Sequence, residues 1–280
     1  MSITAAVWRR IRSLALHALW FGSKTRWLQA AQRHDWVFVA GCNRSGKTTI
    51  SNLFRNHPEV SVIPNANMHT RALPESSREG CPHIWAERLE RFRLTETDAI
   101  EPAYRLAFDW LHFYPRPRRV IMVESDLPAI QMRWLQEVFS NARLVAVVRN
   151  GYAVAEGLRM KEGYAIDRCA RQWRLSTAVM LNDEPFIRAF HLVHYEEFVE
   201  RPEAVTRKLC SFLGLDPSPL LPLLGSGWRL GNNDPTVSLL RDGNRELIGR
   251  LTSEELSVIR QNAADVLDRC GYTMPVEARS

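Results

Sequence analysis

The sequence predicts an α/β fold of three layers, a central parallel sheet covered on both faces by helices. Two observations carry that expectation. Five short apolar runs, rich in β-branched residues, alternate with segments of helical periodicity. The first run also ends on a glycine-rich turn that opens a helix, a connection typical of such sheets.

The runs follow in order. WVFVAG (36–41) reaches a glycine and reads as a buried strand, and the chain turns helical after GCNRSGKTT. VSVIP (60–64) is the second strand, RRVIMVES (118–125) the third with a helix at 130–139, and ARLVAVVRN (142–150) the fourth. Residues 153–181 read as helices, and FHLVHYEEF (190–198) as a fifth strand leading into a loop. EAVTRKLCSFLGL (203–215) reads as a helix closed by Gly214, and Thr252 with Glu255 marks the start of the last helix as a capping box. Residues 65–83 and 216–245 are polar and punctuated by Pro, Gly and Asn, so both read as loops suited to cover a site.

At 280 residues the chain suits one large domain, residues 36–280, preceded by an N-terminal extension over 1–35. Within the extension, Arg9, Arg10, Arg12, Lys24 and Arg26 flank Trp8, Ile11, Leu14, Leu19 and Trp20. That pattern fits a basic amphipathic helix over 8–26 lying on a membrane surface, or equally a helix packing its apolar face on the domain. The apolar stretch 13–22 is about half the length a bilayer-spanning helix needs. Net charge is +6. Neither zinc-finger spacing nor an RNP-like motif accompanies it, so no nucleic-acid partner is expected. Five scattered cysteines without CxxC or Cys/His spacing predict a reducing, cytoplasmic setting and no metal site.

Two groups of residues carry chemistry. Gly41, Asn43, Arg44, Ser45, Gly46, Lys47, Thr48 and Thr49 lie between a predicted strand and helix, where inward amides, a helix N-terminus and two cations favour a phosphate or sulfate. GCNRSGKT also satisfies the Walker A pattern. Arg149 stands at the carboxyl end of the fourth strand, the edge where open α/β sheets bind ligands, and its guanidinium suits a bidentate phosphate grip.

Together these segments resemble the sulfotransferases. RSGKTT is similar to their [RK]-S-G-T-T loop for the 5′-phosphosulfate, and NHPEV (56–60) to the N-H-P that follows. VVRNGYAVAEG is similar to V-x-R-[ND]-P-x-D-x-x-x-S, whose arginine holds the 3′-phosphate. HYEEFVERPEAVTRKLCSFLGL is similar to their Y-E-[DE]-L segment, and Arg241, Asp242 and Gly243 to the late R-x-G cofactor loop. The resemblance runs collinearly over roughly 36–272. It implies a P-loop-like fold, 3′-phosphoadenosine-5′-phosphosulfate (PAPS) as donor without a metal, and a glycan, lipid or small-molecule acceptor.

Four positions depart from the pattern: Lys47 replaces a Thr, Gly151 a Pro and Gly157 the serine that assists the arginine, while Thr49 stands where cytosolic members stack an aromatic on adenine. Arg241, Arg159 or backbone amides are the substitutes to consider for the lost hydroxyl. Arg44 and Lys47 are expected over the transferring group. For the base, ESDLP places Asp126 where cytosolic members have a catalytic histidine, the loop after NHP offers Asn65, Asn67 and His69, and Glu124 is a third candidate. Each has a plainer alternative: Asp126 as a helix cap, His69 as exposed loop, Glu124 paired with an arginine. His57 is expected to order its turn, Tyr195 and Glu196 either to orient the cofactor side or to finish a strand, and Trp134 and Trp173 to be core. The rivals are a kinase or NTPase using ATP and magnesium, with Glu124 or Asp126 on the metal side, and a nucleotide-binding module without turnover.

Overall fold

Side-chain alternation along each strand sets the layers. In the computed structural model, which describes residues 29–64, 84–100, 106–107, 110–111, 117–232 and 236–275, the main sheet has five strands. These are β1 (Asp35–Ala40), β2 (Val60–Ile63), β3 (Val120–Glu124), β4 (Arg143–Val148) and β5 (Phe190–His194). Their order is β2-β3-β1-β4-β5, with every neighbouring pair parallel. Trp36, Phe38 and Ala40 of β1 point into one apolar cluster with Ile121, Val123, Leu144 and Ala146. Val37 and Val39 point into the other, with Val62, Met122, Val145 and Val147. Successive residues of a strand face opposite ways, so burial of both faces demands the unbroken apolar runs the sequence shows.

Helices fully within the described residues are α1 (Lys47–Phe54), α2 (Leu89–Phe92), α3 (Pro128–Val138), α4 (Gly151–Glu162), α5 (Ile166–Asp183), α6 (Tyr195–Glu200), α7 (Pro202–Leu213), α8 (Leu221–Ser226), α9 (Asn244–Ile248) and α10 (Ser253–Arg269). Residues of α3, α4, α5 and α10 complete the first cluster, and those of α1 and α7 the second, giving the three predicted layers. Within the first cluster the Trp36 and Phe139 rings lie 4.4 Å apart, and Trp134 and Trp173 are fully buried, as expected of core. Gly214 closes α7 in the left-handed region at φ 66, and the Thr252–Glu255 capping box is formed in both directions.

Two expectations are corrected. The chain does not enter a loop after β5: α6 begins at once, because Tyr195 and Phe198, three residues apart, bury together on one helical face. Nor is 216–245 loop throughout. It contains α8, α9 and a small antiparallel pair, β6 (Trp228–Arg229) with β7 (Val237–Ser238), anchored where the Trp228 indole donates to the Thr49 carbonyl at 2.9 Å. Residues 1–28, with the expected amphipathic helix over 8–26, and residues 65–83, with Asn65, Asn67 and His69, lie outside the described residues. Among the described residues no helix is long and apolar enough to cross a membrane.

From central β1 the chain moves to β2 and β3 on one side, then to β4 and β5 on the other. The carboxyl ends of β1 and β4 therefore flank the switch point where sheets of this kind open a crevice.

Candidate functional site

The turn after β1 and the turn after β4 meet at that crevice. Arg149 follows β4, and its Nη1 donates to the backbone carbonyl of Arg44 at 3.1 Å. The two predicted anion-binding groups, 105 positions apart in sequence, are thus in direct contact.

The β1 turn is shaped to aim groups inward. Arg44 has φ 72, a left-handed conformation rare for a non-glycine residue and characteristic of turns under functional constraint. Gly46 has φ 98, and a Cβ there would stand 2.5 Å from the Tyr195 ring. Glycine is required on both counts. Lys47 opens α1 and is buried, with its ammonium donating to the carbonyls of Gly41 at 3.0 Å and Cys42 at 3.2 Å and to Asn43 Oδ1 at 3.3 Å. A cation is thereby held inside the loop. Among the described residues the buried Ser45 hydroxyl has no hydrogen-bond partner, an orphan polar group that an anion's oxygen would satisfy. Beside them burial pushes the Cys42 thiol up to about 12, so it stays a neutral filler.

Next along α1, the Thr48 hydroxyl donates to Glu124 Oε1 at 3.2 Å, and Asn232 donates to Glu124 Oε2 at 3.2 Å. Glu124 is therefore tied to the loop and to the segment after β6. The Thr49 hydroxyl donates to the Leu230 carbonyl at 3.1 Å, fixing the β6 side of the site. Asp126 is buried and accepts from the Trp85 indole at 3.1 Å and from Asn43 Nδ2 at 3.4 Å. It does not cap α3, whose N-cap position is Leu127. Asn43 thus bridges the Asp126 carboxylate and the Lys47 ammonium.

Arg149 is held on several sides. Its guanidinium lies 4.2 Å over the Tyr195 ring, its Nε donates to Asn244 Oδ1 at 2.6 Å, and its carbonyl accepts from the Trp173 indole at 3.0 Å. Burial, foremost, holds this guanidinium below the ordinary arginine value, with Arg44 adding to that effect and Tyr195 and Glu196 opposing it. A guanidinium desolvated in this way is favoured by an anionic ligand. The late loop closes the same corner: the Tyr195 hydroxyl donates to the Arg241 carbonyl at 3.2 Å, Asp242 accepts from the Asn244 amide at 2.8 Å, and a Cβ on Gly243 would stand 3.3 Å from Arg149 Nη2.

The departures from the family pattern have local causes. A Cβ on Gly151 would stand 2.8 Å from Trp173 and 2.9 Å from Leu267, so the close approach of α4 to α5 and α10 leaves no room for a proline ring. Gly157 faces Arg44, whose Cβ and Nε lie 3.4 and 3.5 Å from the Cβ a larger residue would carry. Arg159 is not free to replace a serine at 157, because it pairs with Glu156 at 2.7 Å and with Glu255. His57 orders its turn as expected, accepting from the Glu59 amide at 3.1 Å while its Nε2 meets the Asp216 carbonyl at 2.9 Å.

The structure therefore brings Asn43, Arg44, Ser45, Gly46, Lys47, Thr48, Thr49, Glu124, Asp126, Arg149, Gly157, Tyr195, Arg241, Asp242 and Gly243 into one connected set of contacts at the carboxyl edge of the sheet. Sequence reading missed Trp85, Trp228, Asn232 and Asn244. Of these only Asn244, directly after Arg241-Asp242-Gly243, carried a signal in its position.

Comparison with known proteins bears on the family and the fold. The chain is 24% identical over 268 residues to protein-tyrosine sulfotransferase 2 of Gallus gallus, spanning 87% of this chain and 68% of that protein. It is 25% identical over 195 residues to the protein-tyrosine sulfotransferase of Drosophila melanogaster, spanning 63% of this chain but only 37% of that one. Among solved structures, the sulfotransferase domain of the Synechococcus PCC 7002 olefin synthase matches with a TM-score of 0.57 at 17% identity, covering 87% of this chain and 97% of that domain. Sulfotransferase STF9 of Mycobacterium avium gives 0.54 at 16% identity, covering 96% and 84%. These two likenesses concern the fold. The sequence model of the sulfotransferase family matches residues 36–219, about two thirds of the chain, and this protein belongs to the sulfotransferase family.

Proposed function

We propose that this enzyme takes PAPS as its sulfuryl donor and transfers the sulfuryl group to a hydroxyl or amine of its acceptor. The observation that carries the proposal is the 3.1 Å contact between Arg149 and the Arg44 carbonyl, which sets two cationic cradles side by side at the switch point. The chain's own groups fit such a donor: a buried Ser45 hydroxyl without a partner among the described residues, a lysine ammonium held inside the loop at 47 and a desolvated guanidinium at 149.

In this reading Ser45, Gly46, Lys47 and Thr48 hold the 5′-phosphosulfate end, and Arg149 with the Arg241–Gly243 turn holds the 3′-phosphate. PAPS supplies the activated sulfuryl group when bound. Lys47 and Arg44 stabilise charge on that group, the contribution that dominates group transfers of this kind, argued by analogy with phosphoryl transfer. Asp126 and Glu124 are the base candidates among the described residues, and we assign the role to Asp126, which stands where the resemblance places a catalytic histidine. Its carboxylate takes the acceptor's proton, and donation from Trp85 and Asn43 helps fix its direction.

The acceptor is a glycan, a lipid or a small molecule, and the relatives' names add a protein tyrosine to the classes worth testing. The experiment is incubation of the full chain with radiolabelled PAPS and host extract, followed by fractionation into lipid, glycan, peptide and small-molecule pools. Label passing to a pool only when enzyme is present supports the reading. No transfer into any pool, with the nucleotide bound, would leave a binding module instead.

A further inference from the structure

Glu196 stands behind the crevice, where it connects the turn after β4 and the start of α9 with the C-terminal segment. Its Oε1 accepts from the Asn150 amide at 2.9 Å and from Asn244 Nδ2 at 2.7 Å, and its Oε2 accepts from the Tyr272 hydroxyl at 2.9 Å. Asn244 in turn accepts from Arg149 Nε at 2.6 Å. One carboxylate thus fastens the residue after Arg149, the side chain that Arg149 leans on, and the C-terminal tyrosine.

Each link leaves little freedom. Asn244 gives its amide hydrogen to Glu196 and its carbonyl oxygen to Arg149, so the orientation of its side chain is settled by both partners at once. Burial, foremost, and Glu196 beside it hold the Tyr272 phenol above its ordinary value, so it stays a donor. Arg149 could reach its phosphate from many rotamers, but Nε on Asn244, Nη1 on the Arg44 carbonyl and the ring of Tyr195 beneath select one.

We infer that Glu196 is a positioning residue for the nucleotide's 3′-phosphate, acting through Asn244 to fix the Arg149 guanidinium, and that Tyr272 ties the C-terminal segment into the same relay. The inference rests on the reading of Arg149 given above. Carboxylates standing behind a ligand-holding group are known from metal centres, where their loss weakens binding by about 10–100-fold.

The test compares calorimetric affinities for adenosine 3′,5′-bisphosphate and adenosine 5′-phosphate, whose ratio isolates the 3′-phosphate. Glu196→Ala is expected to narrow that ratio by about tenfold while adenosine 5′-phosphate binds within about twofold of wild type. Glu196→Gln keeps an acceptor for Asn150 and Asn244 and is expected to restore most of the ratio. Equal weakening of both nucleotides in Glu196→Ala would mean a structural role only and would overturn the inference. Asn244→Ala, expected to narrow the ratio by a similar factor, provides the same reading if Glu196→Ala does not fold. A ratio unchanged in Arg149→Ala overturns the underlying reading, whereas a ratio narrowed there and unchanged in both Glu196→Ala and Asn244→Ala overturns this inference alone.

Discussion

Arg44 rests its side chain on Gly157: its Cγ lies 3.6 Å from where a Cβ on that glycine would stand. The space left by the serine that other family members carry is used here by the stem of a loop arginine. Helix α4 and the loop after β1 therefore pack on each other, and Arg44 is steered along α4 toward Arg149, whose guanidinium it repels.

Gly157→Ala should be tolerated. The new Cβ meets Arg44 only at ordinary contact distance, and exchanging glycine for alanine inside a helix is worth about 1 kcal/mol. Thermal melting should rise by about 2–4 °C in a chain of this size. A fall would mean that Arg44 has no room to adjust.

Gly151→Ala should do the opposite. Its Cβ would press on Trp173 and Leu267, and overpacking of this kind costs about 1–3 kcal/mol. A denaturant melt reads the loss directly. Because Trp173 also donates to the Arg149 carbonyl, nucleotide affinity should fall with stability.

Asp126→Asn should leave affinity for adenosine 3′,5′-bisphosphate within about twofold while lowering turnover about 10²–10⁴-fold, the usual worth of a positioned base. The amide keeps the shape that Trp85 and Asn43 hold but takes no proton. Normal turnover in this variant would move the role to another residue.

Sulfuryl transfer should continue in the presence of a chelator. The Thr48–Glu124 pair at 3.2 Å, beside the Walker-type turn, is a feature that a magnesium-dependent nucleotide triphosphatase would also use. Loss of transfer on chelation, restored by magnesium, would show that the pair serves a metal.

The strands were legible because burial on both faces leaves its mark in each residue of a strand: Val37 and Phe38 are adjacent, face opposite layers, and are both wholly buried. The loop at 43–49 was legible because small and cationic residues between a strand and a helix have few other uses. Helix α6 was hidden because the apolar spacing of FHLVH continues into YEEF, and only the burial of Tyr195 beside Phe198 separates a helix from a longer strand. Strands β6 and β7, two residues each, are too short to show a period. Glu196 and Asn244 meet across 48 positions, a pairing that no local pattern encodes. Asp126 was found by resemblance, while its partner Trp85 lies 41 positions away and had no motif to mark it.

The central claim is that one nucleotide is held by both cradles, and its most direct test is calorimetric titration of adenosine 3′,5′-bisphosphate into Lys47→Met and Arg149→Ala. Removing either charged contact should cost about 1.5–3 kcal/mol, or roughly 10–150-fold in Kd, with wild-type stoichiometry of one. Affinity unchanged in either variant would show that the two cradles do not share a ligand and would contradict the account.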